Sequence, residues 1–173
     1  MANKQALREL QSRLAEKLQA ARTQARGRSW LAVECGARGF LFPLGQAGEI
    51  FALAPVVAVP HSQRWFLGVA NLRGHLHGVV DLAAFLGVKQ PESGRDQSRL
   101  VGFNQSLDLN CVLLVDRLLG LRSEEDLTSE PDAAGQPRPA FAGARYRDKS
   151  GRAWQELNLG ELAGNEAFLK IVG

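Results

Sequence analysis

Leu7, Leu10, Leu14 and Leu18 recur at intervals of three, four and four, and Ala21 and Ala25 continue the series. This spacing predicts a helix over 6–25 with one narrow apolar face, capped by Asn3 and stopped at Gly27. A stripe made only of leucines, with Arg and Gln around it, suits docking against a single element, either its own body or a partner. From Trp30 onward the texture changes to short β-type runs punctuated by glycine. WLAVE (30–34), GFLFPL (39–44), VVAVP (56–60), GVANL (68–72), HLHGVVD (75–81), RLVGF (99–103), LNCVLLVD (109–116), FAGARY (141–146) and AWQELNL (153–159) all read as strands. So many short strands imply a barrel or sandwich rather than a parallel sheet with intervening helices.

Two segments echo each other: VVDLAAFLG (79–87) and LVDRLLG (114–120) each pass from an apolar strand into Asp, leucines and Gly. Each predicts a strand followed by a helical turn, capped by Asp81 or Asp116 and ended by Gly87 or Gly120. KQPESGRDQS (89–98) and the acidic, proline-bearing 123–140 read as loops. The tail from Leu159 predicts one short helix with Leu162, Phe168 and Leu169 turned inward.

A chain of 173 residues that is 45% hydrophobic and 23% charged fits one ordinary globular body, or two small subdomains sharing a core. The start of the chain has no secretory leader pattern, and the most apolar run, 50–59, is too short to span a bilayer and is broken by Pro55. A cytoplasmic location is therefore expected, without membrane insertion. Cys35 and Cys111 lack C-x-x-C spacing and read as small buried hydrophobes. Residues 1–28 hold seven Lys/Arg against two Glu, a local +5 within an overall +3, so the remainder is slightly acidic. A basic arm could meet nucleic acid or an anionic membrane, but nothing in the body predicts a surface that would extend it.

Phosphate-binding glycine loops and the G-x-S-x-G elbow are absent from the sequence, which removes the commonest nucleotide and hydrolase readings. His75 and His77 stand two apart on a strand and so share a face, a geometry open to Zn²⁺ or Fe²⁺ if His61 or Asp81 supplied a third ligand. Nothing singles that ligand out, and no metal or cofactor is expected. An RNA-binding barrel would need stacking aromatics that one Tyr and three Trp scarcely provide.

GVANLRGHLHGVVDL (68–82) places a guanidinium at the bend of an apolar hairpin. Gly74 can take the positive φ of a tight turn, and Asn71 can brace the bend through its amide. Arg73 is then either a solvated turn residue or a side chain held at the rim for recognition. Gly68 would admit another backbone at close range. Glu49, a carboxylate within an apolar stretch, must be exposed or paired.

The run from Val59-Pro60 through Phe66-Leu67-Gly68-Val69, Asn71-Leu72-Arg73-Gly74 and Val79-Val80-Asp81-Leu82 resembles the CheW family, the adaptors that link chemoreceptors to a CheA-type histidine kinase. LNCVLLVDRLLGL and FAGARYRDKSGRAWQELNLGEL extend the likeness over about residues 30–170. The resemblance implies two small five-stranded SH3-like β-barrels sharing a core, in a CheW-like domain over 29–173 preceded by an N-terminal helical extension over 1–28. It implies a non-catalytic adaptor, cytoplasmic but recruited to membrane-associated receptor arrays. The receptor's cytoplasmic tip would meet Gly68, Asn71, Arg73 and Gly74. The regulatory domain of a CheA-like kinase would meet Leu44, Glu49 and Ile50, although Leu44 reads equally well as a core strand residue. The N-terminal extension is more like the adaptor of a type IV pilus (twitching motility) chemosensory system than a flagellar one. Gly78 stands where the family commonly has Pro, and Trp65 replaces a smaller residue. The alternative from another class is a nucleic-acid-binding β-barrel with a basic N-terminal arm; a metal-dependent enzyme built on His75 and His77 is the third.

Overall fold

The computed structural model describes residues 2–24, 27–88, 96–131 and 137–173, with side chains described for 3–18 of the first helix. Ala25 of the leucine–alanine series, the side chain of Ala21, and the parts of the expected loops at 89–95 and 132–136 lie outside the described residues. The first helix, α1 (Ala2–Gln24), starts earlier than its apolar series and already contains Asn3, which is helical and not a cap.

Eleven strands are described. β1 (Ser29–Cys35), β2 (Arg38–Pro43), β8 (Arg117–Ser123), β9 (Leu127–Glu130), β10 (Ala142–Asp148) and β11 (Ala153–Leu157) form one sheet in the order β8-β1-β2-β11-β10-β9. β3 (Ala47–Phe51), β4 (Phe66–Leu72), β5 (His75–Asp81), β6 (Arg99–Phe103) and β7 (Cys111–Val115) form a second in the order β3-β6-β7-β5-β4. β2–β11 and β5–β7 are parallel pairs, and the other pairs are antiparallel.

The edge strands show why both sheets curl. β8 and β9 occupy opposite edges of the first sheet, yet only residues 124–126, a tight 3-10 turn, join them. Ser123 and Leu127 can be at most about 14 Å apart, so the edges must approach each other. In the second sheet the edges β3 and β4 are also consecutive in sequence. The connection between them returns at Val57, whose N–H and C=O pair with Val69 of β4 at 2.8 and 2.9 Å. This is the expected mostly-β architecture with one more strand in the first sheet.

Three apolar clusters follow from this curl. Trp30, Ala32, Leu41, Tyr146 and Trp154 come only from the first sheet and fill its interior. Ala70, Leu72, Val79, Leu100, Val112 and Leu114 come only from the second. The largest cluster draws on both, including Leu31, Val33, Phe42, Phe66, Val101, Leu113 and Val115, and is the shared core. β7 is buried at every position because Val112 and Leu114 face one core while Cys111, Leu113 and Val115 face the other. That is why CVLLV is a continuous apolar run and not an alternating one.

Four further sequence expectations need correction. VVAVP (56–60) is not a strand: Pro55 and Pro60 flank it, and Val57 alone makes a bridge. LVDRLLG does not enter a helical turn. Arg117–Ser123 is strand β8, and the Asp116 carboxylate accepts the Gly36 N–H at 2.6 Å across the β1–β2 turn. The acidic stretch after 123 is not all loop, since it contributes β9. The tail forms two short helices, α3 (Leu159–Ala163) and α4 (Glu166–Leu169), capped by Asn158 and Asn165. Leu162 and Phe168 are buried, whereas Leu169, one residue further round, is exposed.

The Asp81 reading holds. Its carboxylate accepts the Ala84 N–H at the start of α2 (Leu82–Leu86), and Gly87 ends that helix at φ 68°. Both cysteines are buried free thiols; burial pushes Cys111 up to about 12 and Cys35 higher still. Trp65 packs edge-on to Phe85 and stacks on Phe168 with centroids 5.0 and 6.0 Å away, so its bulk is absorbed by the shared core. Gly78 donates its N–H to the Asn110 carbonyl at 3.0 Å, a bond that a proline there would lack.

Candidate functional site: the β4–β5 tip and the β3 edge

Antiparallel register pairs Leu72 with His75, leaving Arg73 and Gly74 as a two-residue connection. Their φ values are 52° and 81°, both positive, as a type I′ hairpin turn requires. The Asn71 side-chain oxygen accepts the Gly74 N–H at 2.9 Å, which braces the bend as its sequence position suggested. Gly74 meets this conformation at no steric cost. For arginine the left-handed region costs about 1–2 kcal/mol.

At 74% exposure the Arg73 side chain gives the core nothing in return for that strain. Its guanidinium pairs instead with the carboxylate of Glu49, which is 43% exposed on β3. β3 and β4 are the two edges of the second sheet, so this ion pair spans the gap between them. The family resemblance implies different partners for Arg73 and Glu49, and the fold brings the two side chains into contact. The requirement that Glu49 be exposed or paired is met both ways.

The tip and the β3 edge line a groove of about 790 Å³ with Leu72, Arg73, His75 and His77 on one side, Gly48, Glu49 and Phe51 on another, and Asp108 among those completing it. His75 and His77 share this groove, and the His77 ring lies 5.8 Å from Phe51. His61 lies elsewhere, beside the Ser62–Val172 bridge, with its carbonyl accepting the Gly173 N–H. Asp81 is engaged as the α2 cap. Among the described residues no three His, Cys, Asp or Glu side chains come together as a metal-binding group.

Gly68 is buried, and a Cβ placed on it would overlap the Val57 carbonyl and crowd Ala58. Its role is to seat the 57–58 segment on β4, so it can reach a partner only through that segment. Ile50 and Leu44 are both exposed, at 41% and 43%. Leu44 is thus not the core strand residue that was the competing reading; it follows the end of β2 and donates its N–H to Ser29.

Beyond Ile50 the chain exposes Leu53, Val56, Val57 and Val59, and Leu76 stands exposed opposite Asn71. VVAVP (56–60) reads as a strand because β-branched residues in series do; Pro55 before it and Pro60 at its end are the signal against pairing. A second groove of about 660 Å³ lies on the first sheet, lined by Arg38, Arg145, Arg147 and Arg152 with Glu130. The body therefore does carry a basic surface, which the summed charge concealed. Two of its arginines are already partnered, Arg147 by Glu130 and Arg152 by Glu34.

The arrangement has the features of a recognition module: a strained, exposed arginine on a rigid turn, an ion pair across two sheet edges and an uncovered apolar run. The chain belongs to the CheW-like family, whose domain model matches residues 29–167. It is 29% identical to protein PilI of Pseudomonas aeruginosa over 162 residues, covering 92% of this chain and 88% of that one. It is 31% identical to the chemotaxis protein CheW of Rhizobium meliloti over 126 residues, 67% of this chain and 75% of that one. Its fold matches the crystal structure of the scaffolding protein TtCheW from Thermoanaerobacter tengcongensis at a TM-score of 0.59 and 14% identity, over 76% of this chain and 88% of that one.

Proposed function

We propose that this chain is a non-catalytic adaptor that couples a methyl-accepting chemoreceptor to a CheA-like histidine kinase. The pathway we infer is the one that controls type IV pilus twitching motility, a reading supported by the near full-length likeness to PilI. The adaptor works in the cytoplasm and joins receptor arrays at the membrane; no helix among the described residues is long and apolar enough to cross one. The body from residue 29 carries the adaptor function, with α1 as an added element.

The observation that carries this reading is Arg73. The fold tolerates a left-handed arginine that is 74% exposed and already turned to a charged neighbour, and this placement supports a recognition role. A planar guanidinium fixed on a rigid turn loses little entropy on meeting carboxylates or helix C-terminal carbonyls. Asn71 and Gly74 hold it there, and Gly68 supports the neighbouring segment; together they form the receptor-facing group. Glu49, with Ile50 and Leu44, forms the kinase-facing group. Tethering both partners raises their effective concentration for each other.

The test measures binding of the pure protein to the kinase regulatory domain and to a receptor-tip fragment. Arg73→Glu is expected to lose the receptor fragment and keep the kinase domain, and Glu49→Lys the reverse. If both variants bind both fragments like wild type, the assignment is wrong.

A further inference from the structure

The arginine groove on the first sheet holds more charge than its own carboxylates neutralise. Arg147 of β10 is in register with Ala153 of β11, and Ala153 precedes Trp154 just as Arg38 precedes Gly39, the parallel partner of Trp154 on β2. Arg38, Ala153 and Arg147 therefore stand in one row across three strands, and the small side chain in the middle leaves a hollow between two arginines. Arg145 stands in the next row, between Gln155 and Glu130.

Two of these four guanidiniums are already engaged. Arg147 holds the Glu130 carboxylate and donates to the Gly151 carbonyl at 2.6 Å, while Arg152 donates to Glu34 at 2.7 Å and lies over the Trp154 ring. Arg38 and Arg145 have no carboxylate among the described residues. Arg38 is exposed and makes no hydrogen bond or ion pair there, and Arg145 gives only its Nε to the Gln155 side-chain oxygen at 3.4 Å.

Planar guanidinium forks left in this state match carboxylates. The diagonal from the Arg38 Cα to the Arg145 Cα, two strands across and two residues along, is about 12 Å. Same-face side chains four residues apart on an extended peptide are separated by about 13 Å, so such a peptide can offer one carboxylate to each arginine. Nucleic acid is a poorer fit: the aromatic side chains of the groove, Phe40 and Trp154, are buried and present no face to a base, and Glu130 stands among the arginines. The acidic turn of a second copy is a poorer fit too. Its Asp126 is held by the Ser123 N–H and hydroxyl, and Glu124 is drawn to Arg28, which leaves Glu125.

We propose that the hollow between Arg38 and Arg145 is a docking site for an extended acidic segment of a partner protein, two of whose carboxylates, four residues apart, take the two unengaged guanidiniums. The site is separate from the Arg73 tip and does not rest on the adaptor reading.

The experiment measures binding of fluorescein-labelled octaglutamate to the full chain by fluorescence polarisation at low salt. Wild type should bind saturably, and Arg38→Glu should weaken binding at least about tenfold, with Arg145→Ala weakening it several-fold. Arg8→Glu, which makes the same change of charge on α1, should stay within about twofold of wild type. Arg38 touches nothing in the body, so its variant should keep the native fluorescence of buried Trp30. A wild-type chain that does not bind the peptide overturns the proposal, and so do Arg38→Glu and Arg145→Ala variants that bind like wild type. A loss in Arg8→Glu as large as in Arg38→Glu makes the binding a matter of net charge and overturns it as well. Oligothymidylate of the same length that binds more tightly than the peptide and is lost in the same variants makes the ligand a nucleic acid, against the proposal. A wild-type dimer that Arg38→Glu dissociates makes it a second copy, again against the proposal. None of these results bears on the adaptor reading, which the receptor and kinase fragments test.

Discussion

Reversing both charges of the Arg73–Glu49 pair tests whether the two edges of the second sheet are latched in solution. The perturbation is Arg73→Glu, Glu49→Lys and the double variant. Glutamate, like arginine, has a Cβ, so the strain at φ 52° is retained and the cycle isolates the charge interaction. With side chains 74% and 43% exposed, the pair interacts through water and is worth about 0.5 kcal/mol. Each single variant loses that and gains a like-charge repulsion of similar size, about 1 kcal/mol in all. The double variant restores an attractive pair and should return close to wild type, giving a coupling of about 2 kcal/mol at low salt. In about 1 M salt, where the screening length is about 3 Å, the coupling should fall below half. Urea unfolding followed by tryptophan fluorescence reads these values, because Trp30 and Trp154 are buried in the native state. A coupling under about 0.3 kcal/mol at low salt would show that the latch does not form, and the ion pair would drop out of the account.

Other outcomes follow from the same structure. Gly68→Ala should destabilise by about 3 kcal/mol or more, since its Cβ would overlap the Val57 carbonyl, and stability near wild type in a denaturant titration would contradict that contact. Asp148 accepts the Ser150 hydroxyl and N–H, the Trp154 indole N–H and the Arg152 backbone N–H, and the two side-chain donors, Ser150 first and then Trp154, lead in holding its carboxylate at about 2. Its folded value is depressed, so its stabilisation is present above about pH 4 and is lost as pH falls towards 2; the stability gap between wild type and Asp148→Asn should close over that window. Cys35 and Cys111 should resist a thiol reagent at pH 8 in the native protein and both react in urea, because burial keeps each thiol protonated.

Strands that carry apolar or aromatic residues in series were legible as such: β1, β2, β4 to β7, β10 and β11 all lie where the sequence predicts a strand. The strands missed were β3, β8 and β9, all edges, and edges bury one face at most. AGEIF has two exposed positions, and LTSE none buried. Asp116 was misread because its leucines and glycine copy the pattern after Asp81. The difference is non-local: Leu82 and Ala83 enter the shared core, while the Asp116 carboxylate is claimed by Gly36, 80 residues away. The candidate site was legible in parts. Asn71, Arg73 and Gly74 declare a hairpin tip through local turn chemistry, and Gly68 declares a close approach. That Arg73 meets Glu49 depends on which strands become edges, and no local pattern encodes this.

The proposed adaptor holds two partners at once, on faces that adjoin through the Arg73–Glu49 ion pair. Mixing the pure chain with the kinase regulatory domain and the receptor-tip fragment, and weighing the product by analytical ultracentrifugation, tests this directly. The expected result is a species with the summed mass of all three, absent when the chain is left out. Two binary complexes that displace each other and never combine would contradict it.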